Sequence, residues 1–211
     1  MKSQSASGPR LSGARAGLRR ESVVAVAAEI ADREGLDTLT LAKLATRLGI
    51  KPPSLFNHVA GMPALRRELR ALALRELADD LAAAAVGKSL GPAVRALADA
   101  YRRFVRAHRG IYALTLSASG NEPEPADAIA ERIVTICARI LGGYGLRKRE
   151  TIHAIRALRS LVHGFATLEA AGGFGMPVAA DASFAWMVEM FIGGLERTAV
   201  NGRDESPPAG R

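Results

Sequence analysis

The sequence is poor in cysteine and contains no long apolar run. Cys137 is the one cysteine among 211 residues, which excludes an internal disulfide and a cysteine-based metal cage. It lies in the apolar segment RIVTICARIL, where we expect a buried thiol. Charged residues interrupt each apolar segment before the roughly 20 residues that a membrane span needs, and the basic N-terminus lacks the apolar core of a secretion signal. We therefore expect a cytoplasmic protein with no membrane partner.

The sequence patterns of common enzymes are also missing. There is no G-x-S-x-G nucleophile turn, no phosphate-binding loop and no H-E-x-x-H helix, and the glycines of LGGYGLRKRE lack the spacing of a dinucleotide site. The histidines are scattered rather than grouped at metal-ligand spacing, at His58, His108, His153 and His163. We therefore expect no catalysis, no metal and no cofactor, with a helical enzyme as the alternative from another functional class.

Positive charge is concentrated near the N-terminus. Residues 1–75 hold 13 Lys/Arg against 6 Asp/Glu, whereas the rest of the chain holds 16 against 15. A basic end on a nearly neutral body favours a polyanion partner, either nucleic acid or an anionic membrane surface. Surface charge that serves solubility is the alternative explanation.

Apolar residues recur at helical spacing in almost every segment. In the first two segments this pattern stops at Gly35 and at Gly49, as is typical of helix ends. No segment shows a sustained two-residue alternation, so we predict an all-α fold without a sheet. The predicted helices span about 21–34, 41–48, 52–59, a long helix from Pro63, 92–108, 111–118, 124–141, 148–171 and 181–200.

The segment LAKLATRLGIKPPSLFNHV, residues 41–59, matches a helix-turn-helix. Thr40 is placed to accept a hydrogen bond from a free backbone N–H of the first helix, and Gly49 provides the turn. Pro52 and Pro53 fit the first turn of the second helix, where backbone N–H groups have no intrahelical acceptor.

The second helix of this motif has one predicted core face and one predicted reading face. Leu55 and Val59 are four residues apart and are expected to face the core, which leaves Ser54, Phe56, Asn57 and His58 on other faces. Such side chains suit base edges and phosphates, since Asn pairs with adenine and an apolar ring contacts a thymine methyl. In the alternative interpretation, Phe56 is a core aromatic and His58 a packing histidine.

These residues resemble a known family. GLDTLTLAKLATRLGIKPPSLFNHVAGMPAL is similar to the DNA-binding signature of TetR/AcrR-type transcriptional regulators, and the resemblance extends over about residues 21–200. RALRSLVHGFATLEAAGGFG and DASFAWMVEMFIGGLE resemble the C-terminal domain of a branch with a Trp-His-Gly signature, although Val162 precedes His163 here. The resemblance implies a three-helix helix-turn-helix domain (19–65) and a larger helical ligand-binding and dimerisation domain (66–200). The two ends, a basic arm (1–18) and a tail (201–211), lack apolar periodicity and are expected to be disordered.

The resemblance also implies a function and a set of DNA contacts. We expect a homodimeric repressor that binds a near-palindromic double-stranded DNA operator and is released by a small-molecule effector; a constitutive or architectural DNA-binding protein and a helical interaction module are the alternatives. The dimer would form through the helices near 148–171 and 181–200, where Gly193 and Gly194 would allow close helix approach. The implied DNA contacts are Arg19, Arg20, Thr40, Arg47, Lys51, Ser54, Phe56, Asn57 and His58.

Two positions depart from the family pattern on the DNA side. Phe56 stands where the family commonly has a tyrosine, whose hydroxyl reaches a phosphate, and Met62 stands where a lysine is common. The basic arm with Arg15, Arg19 and Arg20 could supply substitute contacts, so deletion of residues 1–18 is expected to weaken DNA binding and flatten its salt dependence.

The predicted ligand pocket is less sharply defined. His153, Arg156 and His163 fall along one stripe of the 148–171 helix, which suits an anionic or hydrogen-bonding ligand. Alternatively, His153 and Arg156 are merely solvated and His163 is an interface histidine. The pocket candidates are Phe104, Tyr112, Arg156, His163, Phe165 and Trp186, with Phe184 as a further aromatic.

Overall fold

The computed structural model describes residues 18–116 and 124–204, and the side chains of these up to residue 200. Its α-helices are α1 (Arg20–Glu34), α2 (Leu41–Leu48), α3 (Pro52–Leu55), α4 (Gly61–Ala85), α5 (Leu90–Ala107), α6 (Arg109–Tyr112), α7 (Pro125–Gly142), α8 (Lys148–Ala170) and α9 (Ala180–Asp204). Short 3₁₀ turns cover Leu36–Thr38 and Ala113–Thr115. The described part of the chain contains no β-strand, so the predicted all-α fold is confirmed.

Several boundaries differ from the predicted ones. Helix α5 begins at Leu90, two residues before the predicted start, and the helix predicted at 111–118 is α6 at Arg109–Tyr112 followed by the 3₁₀ turn Ala113–Thr115. The third helix ends at Leu55 instead of residue 59, because the N–H groups of Phe56, Asn57 and His58 each bond the carbonyl three residues back, which is turn geometry. Helix α4 begins at Gly61, two residues before Pro63. Helix α9 continues to Asp204, beyond the predicted end at residue 200.

Some predicted features lie outside the described residues. They are Arg15 with most of the basic arm, the end of the short segment predicted at 111–118, and the tail after Asp204. Within the described part, no helix combines the length and the apolar character needed to cross a bilayer.

Two helical groups share α4. Helices α1 to α3 form a small N-terminal bundle around Leu44, Leu55 and Val59, all of which are buried. Helices α4, α5, α7, α8 and α9 form the larger bundle, and α4 packs against both α5 and α7. The long α4 therefore connects the N-terminal bundle to the rest of the protein.

Helices α1 and α6 are joined by one carboxylate. Asp32 on α1 accepts hydrogen bonds from the backbone N–H groups of Gly110 and Ile111 at 2.9 and 3.0 Å, and its other oxygen lies 2.9 Å from His108 Nδ1. A Cβ atom on Gly110 would lie 2.0 Å from the carbonyl oxygen of Ala31. The absence of a side chain at residue 110 therefore lets the two helices touch through their backbones.

A buried ion pair joins the helices of the larger bundle. Arg102 on α5 bonds Glu169 on α8 through Nε at 2.9 Å and contacts Asp181 on α9 at 2.7 Å. Its guanidinium lies 4.6 Å from the ring centre of Phe184, a cation–π distance. The Arg102 hydrogen bonds hold the pKa of Glu169 below its usual range.

Candidate nucleic-acid interface and ligand cavity

The helix-turn-helix has the predicted internal geometry. The Thr40 hydroxyl accepts a hydrogen bond from the Lys43 backbone N–H at 3.1 Å, as expected of an N-cap. Gly49 ends α2 with φ 68°, a left-handed conformation that glycine adopts without strain. Leu55 is only 1% exposed and Val59 3% exposed, so the predicted core face of α3 is confirmed.

The opposite face of α3 together with the turn after it, Ser54 and residues 56–58, is called the exposed α3 face, and most of it is open to solvent. Phe56 is 59% exposed, so the alternative in which it is a core aromatic is wrong. Ser54 and Asn57 are also exposed, while His58 is half-buried.

The predicted DNA-contacting cations are exposed. Arg47 at the end of α2 and Lys51 before α3 are exposed, as is Arg19 before α1. Arg20 is paired with Glu68 of α4 at 2.5 Å. Lys43 bonds Glu34, which lowers the pKa of that carboxyl. Arg19, Arg47 and Lys51 are thus the more accessible cations of the predicted set.

A cavity of about 260 Å³ lies inside the larger bundle. It is bounded by α4, α5, α7 and α8, and most of its wall is aliphatic, including Leu74, Leu77, Leu97 and Leu158. Cys137 also lines it; burial raises the pKa of this thiol to about 11, so it serves as a small apolar wall residue rather than a nucleophile.

Four polar or charged residues line the cavity, namely Tyr101, Thr115, Glu131 and Arg159. Arg159 Nη2 lies 3.4 Å from the Thr115 carbonyl oxygen. The Tyr101 hydroxyl is 3.0 Å from the Tyr112 hydroxyl, which is in turn 2.6 Å from His163 Nδ1. Burial raises the pKa of both phenols, so both are neutral O–H groups near pH 7.

The six predicted pocket residues do not line this cavity. Phe104 is buried in the core against His108 and Tyr112, and Phe165 packs between Phe174 and Phe184. Arg156 is exposed, and Trp186 is 67% exposed on α9. Tyr112 and His163 reach the cavity only through the Tyr101 hydroxyl.

Sequence reasoning overlooked Tyr101, Thr115 and Arg159. Arg159 follows the apolar Ile155 by four residues, and both line the cavity, so helical spacing contained a signal for it. No sequence pattern indicated the hydrogen bond that the Gly110 backbone N–H donates to Asp32, because the two residues are 78 positions apart.

Known proteins share both regions. Residues 94–191 match the family described as "Tetracyclin repressor-like, C-terminal domain". The chain is 34% identical to YobS of Bacillus subtilis, an uncharacterized HTH-type transcriptional regulator, over 86% of this chain and 94% of YobS. It is 35% identical to Rv0681 of Mycobacterium tuberculosis, another uncharacterized HTH-type transcriptional regulator, over 88% of this chain and 85% of Rv0681.

A solved structure extends the similarity to the fold. A TetR variant from Acinetobacter baumannii in complex with minocycline superimposes with a TM-score of 0.64 at 27% identity, over 86% of this chain and 98% of that chain. The similarity therefore covers the N-terminal bundle with the exposed α3 face and the larger bundle with the cavity.

Proposed function

Because the chain belongs to the TetR/AcrR-type family of transcriptional regulators, we propose that it is a homodimeric repressor that binds a near-palindromic operator and is released by a small-molecule effector. Family membership makes it a DNA-binding regulator and not an enzyme. The observation that carries the finer proposal is the exposed Phe56 beside Asn57 in the turn that follows α3, whose last residue, Leu55, is buried in the core.

The exposed face of α3 suits the major groove. Asn57 presents a donor and an acceptor that match adenine, and the ring of Phe56 offers an apolar contact to a thymine methyl. Arg47, Lys51 and Arg19 are also exposed and suit phosphates. Base contacts would then specify the site while the cations contribute most of the salt-dependent affinity.

A dimer is supported by the outer faces of α8 and α9. Ile152, Trp186 and Met190 are large apolar side chains exposed on these helices. A shallow groove between the same helices includes Met190 and Gly194, and a Cβ on Gly194 would meet nothing within 4 Å. A second copy that covers this face would bury the apolar side chains and bring two α3 helices to one duplex.

The effector would occupy the cavity between α4, α5, α7 and α8. A TetR variant of the same fold is known with minocycline, which supports a small-molecule effector for this chain. Thr115 lines the cavity three residues after Tyr112, the end of α6, and α6 is bonded to α1 through Asp32. Ligand that prefers one position of α6 would thereby change the position of the DNA-binding bundle.

Selection of bound duplexes from a random DNA library tests this function. The purified protein is expected to recover a near-palindrome with half-site centres about 34–36 Å apart or a multiple of that distance. Asn57→Ala should lose the selected sequence, while Asp99→Ala, an exposed change on α5, should keep it. Recovery of sequence-blind, salt-sensitive binding alone would contradict the repressor proposal and favour an architectural protein.

A further inference from the structure

The mostly apolar wall of the cavity contains one cation, Arg159. Arg159 forms no ion pair with any residue in the described part of the chain, and its Nη2 makes a long contact of 3.4 Å to the Thr115 carbonyl oxygen. Most of the remaining wall is aliphatic. An apolar chamber with a guanidinium at one end matches a ligand that is apolar at one end and carries an acceptor at the other.

The tyrosine beside Arg159 offers a second donor. The Tyr101 hydroxyl, the Tyr112 hydroxyl and His163 Nδ1 form a row of hydrogen-bonding atoms. Each hydroxyl carries one hydrogen, and a third hydrogen joins the row when the neutral His163 ring is protonated at Nδ1 instead of Nε2. When Nδ1 carries hydrogen and donates to Tyr112, Tyr112 donates to Tyr101, and the Tyr101 hydrogen is then available to the cavity. An acceptor in the cavity selects this arrangement.

The cation of the cavity outweighs its carboxylate for a bound ligand. Glu131 on α7 also lines the cavity and, like Arg159, is exposed. Arg159 on α8 lies next to the Tyr101 hydroxyl, whose pKa its charge lowers against the larger effect of burial. Two converging donors favour a carboxylate over a neutral amide or an ammonium group.

The volume limits the size of the ligand. At about 260 Å³ the cavity exceeds the roughly 150 Å³ that admits benzene and falls just below the roughly 300 Å³ at which drug-sized pockets begin. Val134 and Arg159 are both exposed, which places an opening between α7 and α8 at the polar end. A compact ligand could enter with its apolar part first.

We propose that the effector is a small organic acid whose carboxylate binds Arg159 and the Tyr101 hydroxyl and whose apolar body fills the cavity. This inference rests on the proposed function, since it names the chemical class of the effector. It replaces Arg156 of the predicted pocket with Arg159, three residues later on the same helix.

Calorimetric titration of the full-length protein with matched ligands tests the proposal. The probes are the acid, primary amide and primary amine of three skeletons: 4-phenylbutyl, octyl and cyclohexylpropyl. At least one acid is expected to bind roughly tenfold more tightly than its amide, since charge-assisted bonds are about twice as strong as neutral ones. Arg159→Gln should remove the preference for the acid, while its affinity for the amide should stay within about twofold of the wild-type value. Tyr101→Phe should reduce the preference for the acid. Arg156→Gln, an exposed arginine of α8 outside the cavity, is the matched control and should keep it.

The outcomes test two claims separately, namely the chemical class of the ligand and the location of its binding site in the cavity. Equal or tighter binding of the amide or amine would overturn the acid while leaving the cavity as the effector site. A preference for the acid that persists in Arg159→Gln would overturn the role of Arg159. Binding of none of the nine probes would overturn both the acid and the proposed effector site, whereas operator selection would still test DNA reading independently.

Discussion

The backbone contact between α1 and α6 predicts a large effect of one methyl group. In Gly110→Ala the new Cβ would lie 2.0 Å from the Ala31 oxygen and 2.2 Å from the Ala31 carbonyl carbon, against the roughly 3.5 Å at which such atoms attract. The helices must therefore separate by more than about an ångström. That movement stretches the two backbone hydrogen bonds to Asp32, now 2.9 and 3.0 Å long, beyond the hydrogen-bonding range.

The magnitude follows from the two bonds and the overlap. Hydrogen bonds to a charged group contribute about 1.5–3 kcal/mol each, so we expect a loss of about 3–6 kcal/mol in the free energy of unfolding. For a chain of this size the melting temperature should fall by roughly 6–24 °C. Gly142→Ala is the matched control, since a Cβ there meets nothing within 4 Å. Thermal unfolding followed by circular dichroism measures both variants; a Gly110→Ala melting temperature equal to that of Gly142→Ala would refute the backbone-contact argument.

The helix cap, the buried ion pair and the exposed tryptophan each predict the effect of one substitution. Thr40→Ala removes the acceptor of an N-terminal N–H and should cost about 1 kcal/mol, measured as a melting temperature lower by roughly 2–4 °C; an unchanged value would contradict the cap. Glu169→Gln should be less stable than wild type at pH 7, because ionised Glu169 stabilises the fold through Arg102. Since the folded pKa of Glu169 is below its usual 4.5, that difference should shrink as the pH falls below 4.5 and through the folded pKa, and a pH-independent difference would contradict it. Trp186→Glu should shift the protein toward monomer in sedimentation analysis, and an unchanged dimer would place the interface elsewhere.

The sequence was sufficient for local structure because its signals are local. Helix ends at Gly35 and Gly49, the Thr40 cap and the two-faced α3 each depend on residues within one or two turns, and the structure agrees with all of them. The main local error was the length of α3. After Leu55 the backbone N–H groups bond the carbonyl three residues back, and no glycine in the sequence marks this change.

The cavity could not be predicted in the same way because its wall comes from four helices distant in sequence. Periodicity assigned Arg156 and His163 to a polar stripe of α8, but it did not specify which part of that helix faces α5. Arg159 faces the cavity and Arg156 faces solvent, although only three residues separate them. Aromatic character likewise failed to identify the residues of the cavity, since Trp186 is exposed and Phe104 lies in the hydrophobic core.

Quantitative DNA titration of the Asn57→Ala variant tests most directly whether α3 reads bases. Fluorescence anisotropy would compare wild type and variant on the selected duplex and on the same duplex with one half-site scrambled, at two salt concentrations. We predict that the variant binds the selected duplex more weakly by about 1–3 kcal/mol, with unchanged binding to unrelated DNA and an unchanged salt slope. Equal affinity of wild type and variant for the selected duplex would contradict base reading by α3.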